Sequence, residues 1–223
     1  LDSSVEKYPF LKDKAVTVYN ISDIVDIKKK AEEVVEDFEK PDIPMLLTCA
    51  NFRSEKNHLR QVEVLAELKK RNVDCVWVNI GSTSDVKLVE KVRQKCREYQ
   101  IEDRFLILGP KSNPYKYVKN ADLYVCSSRK EGFSTAVTEA LIVGTPVVSA
   151  NCSGATELLG CNNEYGIVTE NNEEALYEGI KKMISNKNVF DYYKKQAGVR
   201  GNRFSTSETV KAVERMLEEV AAE

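Results

Sequence analysis
The chain has 223 residues, 42% hydrophobic and 30% charged, with 33 basic against 35 acidic side chains and a net charge of −2. That length suits one large domain with an ample buried core, and the near-neutral balance speaks against a general nucleic-acid binder, so any anion site must be local. The sequence shows neither a run of about eighteen apolar residues, as a membrane span requires, nor a basic–apolar–small leader at its start.

In chain order, residues 15–20 form a short strand-like run. Apolar residues at 24, 27, 31, 34, 35 and 38 then keep a helical period until Pro41 and Pro44 end it. From Met45 the pattern becomes β–α alternation. Strand-like runs lie at 45–49, 75–80, 105–108, 123–126, 146–149 and 166–168, with helical patterns at 55–71, 85–99, 113–120, 135–143 and 154–159 between them. Short strands separated by helices predict an α/β domain, a Rossmann-like, doubly wound parallel sheet of about six strands with flanking helices. Three more helical stretches follow at 172–185, 189–197 and 207–222, the last with apolar residues at 210, 213, 217 and 220. Six cysteines (49, 75, 96, 126, 152 and 161) include no Cys-x-x-Cys pair. Reduced thiols of a cytoplasmic protein are expected rather than a disulfide framework or a metal site. Cys49, Cys75 and Cys126, in strand-like runs, read as small core hydrophobes.

The stretch 127–141 carries the chemistry. It runs from one apolar strand through a loop with Glu131 and Gly132 into a helix bearing Glu139, before the next strand. Ser134 or Thr135 is the expected N-cap, its hydroxyl accepting from the first backbone N–H groups. A helix N-terminus at the carboxyl end of a buried strand is an anion site, and Gly132 lets a phosphate approach the backbone. Two carboxylates beside it suit two sugars, because a carboxylate accepts from both hydroxyls of a vicinal diol. Glu139, about one and a half turns into the helix, reaches a ribose, and Glu131 reaches a sugar beyond the phosphates. Phosphates flanked by two sugars describe a nucleotide sugar. Glu131 also has a plainer reading, as a loop acid balancing Arg129 and Lys130.

Three other places compete for attention. Arg53 and Lys56 follow the first strand of the alternation and face the same strand-end crevice, or else form an exposed helix start paired with Glu55. Gly81-Ser82-Thr83-Ser84 is either a backbone anion nest or an ordinary turn, and the sequence has no GxGxxG there. His58, the single histidine, reads as structural or exposed rather than as a general base.

The order Glu131-Gly132-Phe133 through Glu139-Ala140-Leu141, then Gly144-Thr145-Pro146-Val147-Val148 and Ser153-Gly154-Ala155-Thr156-Glu157, resembles the donor-binding signature of retaining GT-B glycosyltransferases of family 4, the glycosyl transferases group 1. The resemblance covers about residues 41–200. It implies transfer of a hexose, with retention, from a nucleoside diphosphate sugar, UDP-sugar favoured, to a glycan or lipid-linked acceptor, without a metal or other cofactor. Glu131, Lys56 and Arg53 would be catalytic. The family places an arginine where this sequence has Asn51, and Arg53, two positions on, is long enough to substitute. Glu139, Gly132, Phe133, Ser134 and Thr135 would hold the donor, the last three through backbone N–H groups on the diphosphate. Gly109 and Lys111, in the loop after the third strand, would meet the base.

The resemblance also implies the C-terminal half of a two-domain enzyme. Residues 1–40 would be an interdomain linker with a leading helix, 41–200 the nucleotide-sugar domain, and 201–223 a helix crossing back to an N-terminal, acceptor-binding domain. The full enzyme would then be cytoplasmic or sit peripherally at the inner face of a membrane, in polysaccharide biosynthesis, with no nucleic-acid partner. Two rivals remain on the sequence. A GT-B nucleotide-sugar epimerase would need acid–base residues not found in this half. A non-enzymatic βα signalling or binding module would want a phosphoacceptor aspartate after a central strand, whereas Asp122 lies at the start of its strand.

Overall fold
The computed structural model describes residues 8–11, 22–204 and 206–221; the strand-like run at 15–20 lies outside them. Six strands, β1 (Met45–Cys49), β2 (Val76–Ile80), β3 (Phe105–Gly109), β4 (Leu123–Cys126), β5 (Val147–Ala150) and β6 (Ile167–Thr169), form one sheet in the order β3-β2-β1-β4-β5-β6. Every pairing is parallel. The expected α/β doubly wound sheet is present, with strand limits within a residue of those read from the sequence.

Alternation along each strand divides the core into two layers. Leu46, Trp77, Leu123 and Val125 point to one face, where α2 (His58–Lys70), α3 (Val86–Tyr99) and α7 (Glu173–Ser185) cover them. Leu47, Val78, Tyr124 and Cys126 point to the other, under α1 (Ile24–Ala31), α4 (Tyr115–Asn120), α5 (Thr135–Val143), α6 (Ala155–Leu159) and α8 (Lys187–Gly201). Trp77, Leu46 and Leu123 are fully buried, each such side chain contributing about 2 kcal/mol or more by area removed from water. Local chemistry sets the helix limits. Asp85 and Asn172 accept at their side chains from Leu88 N and Ala175 N, and Gly144 closes α5 in the left-handed region, φ 82°.

Two helices differ from the sequence expectation. The pattern over 24–38 becomes a helix only through Ala31, because the following segment is captured by α4 and the loop before it. Lys116 Nζ donates to the Val34 carbonyl, Tyr117 to Asp37, and Asn113 Nδ2 to the Lys30 carbonyl. Val35 and Phe38 then reach the core as irregular chain. The pattern over 55–71 is split: Ser54–Lys56 is one 3-10 turn, Asn57 takes φ 55°, and α2 starts afresh at His58. That break turns Lys56 out of the helix axis and toward the strand ends. The last helix, α9 (Thr206–Ala221), contacts the turn Asn202–Phe204 among the described residues, and its Val210 and Leu217 are exposed.

A close backbone approach fixes α8 against α5. A Cβ at Gly201 would stand 2.2 Å from the Leu141 carbonyl oxygen, which is backbone and cannot yield. Gly201→Ala is therefore expected to destabilise the chain by about 3 kcal/mol or more, read as a fall in the urea midpoint at unchanged slope.

Candidate functional site
The sheet places its crevice. The chain winds outward from β1 through β2 to β3, then returns so that β4 lies beside β1, with Leu46 and Leu47 paired to Leu123 and Tyr124. The loops leaving β1 and β4 diverge there, and doubly wound sheets bind ligands at that reversal, outside the carboxyl ends of the strands. A cavity of about 570 Å³ occupies the place, lined by residues at the end of and after β1 (Thr48–Asn51, Arg53, Lys56), and after β2 (Gly81, Ser82), β3 (Pro110, Lys111) and β4 (Ser127, Ser128, Glu131, Phe133–Ala136, Glu139).

At its mouth two charges distant in sequence meet. Lys56 Nζ lies 2.7 and 2.9 Å from the two Glu131 carboxylate oxygens, and Ser128 Oγ donates to Glu131 Oε1 at 2.6 Å. Both side chains are largely shielded, Lys56 at 26% and Glu131 at 13% exposure, so the pair holds its geometry better than a surface ion pair. Beneath them a buried polar chain ties β1, α2 and β4. Trp77 Nε1 donates to Thr48 Oγ1 (3.0 Å), Thr48 Oγ1 to the Val125 carbonyl (2.7 Å), Gln61 Nε2 to Ser127 Oγ (2.8 Å), and Ser127 Oγ to the Lys56 carbonyl (2.9 Å). The Lys56 backbone is thus fixed to the start of the Glu131 loop.

Glu139 sits deeper, on α5, where Tyr115 Oη donates to Oε1 at 3.3 Å. Burial pushes its carboxyl above the ordinary range, with the Tyr115 hydroxyl opposing. Ser134 is the N-cap of α5, but its hydroxyl makes no capping bond; this corrects the expectation for Ser134 and Thr135. The Ser134 carbonyl instead accepts from Thr138 N and Oγ1, while Ser134 and Thr135 line the cavity. Phe133 anchors the loop, its ring 6.4 Å from that of Phe204 in an edge contact.

The structure brings Arg53, Lys56, Glu131, Phe133, Ser134, Thr135, Glu139 and Lys111 to the one cavity. Gly132 and Gly109 do not line it. Gly109 instead accepts at its carbonyl from Gly81 N at 3.1 Å. Lys111 is tied to Asp37, Nζ to Oδ2 2.6 Å, and Lys111 with Tyr117 holds the Asp37 carboxyl down at about 2. The turn Gly81–Ser84 is an ordinary one: Gly81 N, Ser82 N and Ser84 N donate to the Gly109 carbonyl, Asn51 Oδ1 and Ser82 Oγ.

Sequence reasoning missed Tyr115, Ser127, Ser128 and Asn171. The two serines stood in the stretch singled out, but nothing in their spacing shows that one grips Glu131 and the other Lys56. All six cysteines are free thiols. Burial pushes Cys49, Cys75 and Cys96 up to about 12, keeping them protonated. Cys49 packs against the core from the cavity wall, its residue half-exposed while its surroundings are desolvated. Among the described residues no group of three or more His, Cys, Asp or Glu side chains could hold a metal ion, and no helix is long and apolar enough to cross a membrane.

Fold and site together define a domain of the doubly wound α/β class, with a polar crevice at the reversal of strand order. The sequence profile described as glycosyl transferases group 1 matches residues 29–199, and the chain belongs to that family. It is 30% identical over 206 residues to the Campylobacter jejuni N-acetylgalactosamine-N,N'-diacetylbacillosaminyl-diphospho-undecaprenol 4-alpha-N-acetylgalactosaminyltransferase, covering 92% of this chain and 53% of that protein. To the Bacillus anthracis N-acetyl-alpha-D-glucosaminyl L-malate synthase it is 28% identical, over 64% of this chain and 35% of that one. The chain thus spans about half the length, or less, of these two relatives. Among solved structures, a glycosyltransferase from Rickettsia africae superposes with a TM-score of 0.84 at 22% identity, over 98% of this chain and 62% of that chain. Anabaena HepE in complex with UDP and glucose gives 0.81 at 17% identity, over 100% and 61%. The fold is that of the GT-B glycosyltransferases, and the partial coverage matches their C-terminal half.

His58 is structural, as expected. It is 1% exposed and stacks on Phe52, ring centroids 3.9 Å apart, and burial holds its pKa down at about 4 against the ordinary 6.5. The folded protein keeps the ring neutral while the unfolded chain takes up a proton below 6.5. The unfolded state therefore binds more protons between about pH 6.5 and 4, and stability falls as pH drops through that window, by about 3 kcal/mol from this group. His58→Phe keeps the stack and removes the titration. Its urea-derived stability is expected to fall less than that of the parent between pH 7 and 4.5, and equal slopes would refute the assignment.

Proposed function
We propose that this chain is the donor-binding domain of a retaining glycosyltransferase that moves a hexose from a nucleoside diphosphate sugar, UDP-sugar favoured, to a glycan or lipid-linked acceptor held by a further domain. The observation that carries this is the meeting of Lys56 and Glu131 at 2.7 Å beside the N-terminus of α5. It puts a cation, backbone N–H groups and a carboxylate round one cavity at the strand reversal, which supports a site for a diphosphate beside a sugar. The family membership supports the reaction type. The Campylobacter jejuni relative is named for a lipid-linked acceptor, and the HepE structures hold UDP, UDP with glucose, or UDP-glucose.

The chemistry asked of this half is stabilisation of the departing diphosphate. The N–H groups of Phe133, Ser134 and Thr135 at the start of α5 meet it with the positive end of the helix dipole. Lys56 and Arg53 neutralise the negative charge that grows as the sugar–phosphate bond breaks. Such preorganised donors are worth about 3 kcal/mol each in a dry site. Glu139, oriented by Tyr115, accepts from the ribose hydroxyls, and Glu131, gripped by Ser128 and Lys56, accepts from hydroxyls of the donor sugar. The sugar's lower face is left for attack from the leaving-group side, which retains the anomeric configuration. No metal or other cofactor has a part in this scheme. The acceptor comes from the N-terminal domain of the full enzyme, at or near the inner face of the membrane.

Calorimetric titration with UDP, GDP, ADP and pyrophosphate tests the reading. Binding of a nucleoside diphosphate is expected, and Lys56→Ala should weaken both it and pyrophosphate by about 10- to 100-fold, the worth of a charged hydrogen bond. Glu139→Ala should weaken the nucleotide and leave pyrophosphate unchanged, because pyrophosphate has no ribose. No binding of any nucleotide at millimolar concentration would overturn the proposal. With UDP-sugars the 223-residue chain alone is expected to transfer nothing, so measurable transferase activity would overturn the assignment of the acceptor to another domain.

A further inference from the structure
We propose that Asn171, held by Arg60, is a positioning residue that sets the Glu131 loop in register with Lys56; the functional part of this claim rests on the donor-site reading above. Neither side chain lines the cavity. Arg60 lies in the first turn of α2, just beyond the break that follows Lys56, and is only 6% exposed. A buried cation is costly to keep, so its partners show what it is for. Nη1 donates to the Asn171 side-chain oxygen, Nη2 to the Asn171 carbonyl at 3.1 Å, and Nε to Glu173 at 3.0 Å. The guanidinium thus grips one asparagine by backbone and side chain at once, a use for which its planar fork is suited.

With its oxygen taken by Arg60, the Asn171 amide nitrogen is aimed the other way, at three backbone carbonyls. It lies 2.8 Å from that of Asn151, 3.2 Å from that of Ser128 and 3.4 Å from that of Arg129. Those carbonyls belong to the loops leaving β5 and β4. Ser128 is the residue whose hydroxyl grips Glu131, and Arg129 N donates to the Glu55 carbonyl, next to Lys56, at 2.8 Å. One amide after β6 therefore spans the outlets of β4 and β5, and its partner Arg60 belongs to the helix that follows Lys56. A residue there only to fill space would not need a donor turned to the backbone on either side of the loop's first turn. Sites that depend on such supports lose function when the support loosens by about 1 Å.

Asn171→Asp separates the two halves of this arrangement. It keeps an oxygen for Arg60 and turns the donor facing the carbonyls into an acceptor, whereas Asn171→Ala removes both. In the 223-residue chain, Asn171→Asp should keep its melting temperature within roughly 3 °C of the parent. Amide hydrogen exchange over residues 128–134 should speed up about tenfold with other segments unchanged, and the UDP dissociation constant should rise about tenfold. Asn171→Ala should speed the same loop and also lower the melting temperature. Unchanged exchange in the loop of Asn171→Asp would overturn the proposal. So would a collapse of its whole melting curve, since the residue would then hold the domain rather than the loop. If the parent chain binds no nucleotide, the donor-site reading fails while the exchange measurement still decides whether Asn171 positions the loop. If it binds and Asn171→Asp binds equally well with a loosened loop, the functional part of the proposal, that the loop's register matters to the donor site, is refuted and the donor site stands.

Discussion
The pairing of β4 with β1 is the constraint on which the rest of this molecule depends. Had β4 been added outside β3, the loops after β1 and β4 would stand three strands apart, roughly 14 Å at the usual strand spacing. Lys56 and Glu131 could not then touch. Because the chain doubles back, residues 75 positions apart come within 2.7 Å. The return is stabilised by the two faces of the sheet together: Leu123 and Val125 enter one apolar layer while Tyr124 and Cys126 enter the other. A one-residue slip of β4 would exchange these sets and carry the Glu131 loop with it. The geometry of the cavity is therefore specified by the same alternation that builds the core.

Polar contacts then refine what the apolar core places. A parallel sheet buried on both sides offers few places for polar side chains, yet Thr48, Gln61, Asn79, Ser127 and Ser149 are all buried here. Thr48, Gln61 and Ser127 form one chain with Trp77 and the Lys56 carbonyl, joined by Gln61 Nε2 donating to Thr48 Oγ1 at 3.4 Å. Buried polar groups are worth keeping when their partners are fixed, because low local polarity strengthens each bond and penalises any alternative arrangement. The consequence is directional. The chain links the end of β4 to the residue that carries the ammonium, so strain or looseness at one is felt at the other.

Much of this was legible in the sequence, for identifiable reasons. The six strands were readable because each is a short apolar run bounded by helical patterns, and buried parallel strands have no competing periodicity. The cavity followed from the same alternation, since such sheets bind at strand ends, and Glu131, Glu139, Lys56 and Arg53 all fell there. What was not legible depends on contacts between distant segments. Residues 32–38 kept a helical period but are held as irregular chain by Lys116 and Tyr117. The break at Asn57 rests on one left-handed residue in an otherwise helical pattern. Ser134 takes the cap position without making the capping bond. Asn171 stood beside Asn172, a recognisable helix cap, and nothing local distinguished the residue that spans two strand outlets from the one that starts a helix.

On the proposed function, the near-neutral charge of the chain is compatible with an anion site built locally rather than by a bulk field. A surface that recruits phosphates by bulk field needs many cations, and this chain has 33 basic residues against 35 acidic ones. Here the positive character comes instead from helix N–H groups and from Lys56, whose ammonium is already shared with Glu131. An ammonium has three donors, and Glu131 occupies two of them. The remaining donor can meet a phosphate oxygen without breaking the pair, so on the proposed function phosphate binding and the placement of the sugar-facing carboxylate are one event. A lysine suits this better than an arginine would: its donors diverge from a point, whereas a guanidinium fork would commit its paired donors to one planar partner. The arginine nearby, Arg53, is exposed at the start of the same turn, where a planar fork can engage phosphate oxygens without competing for Glu131.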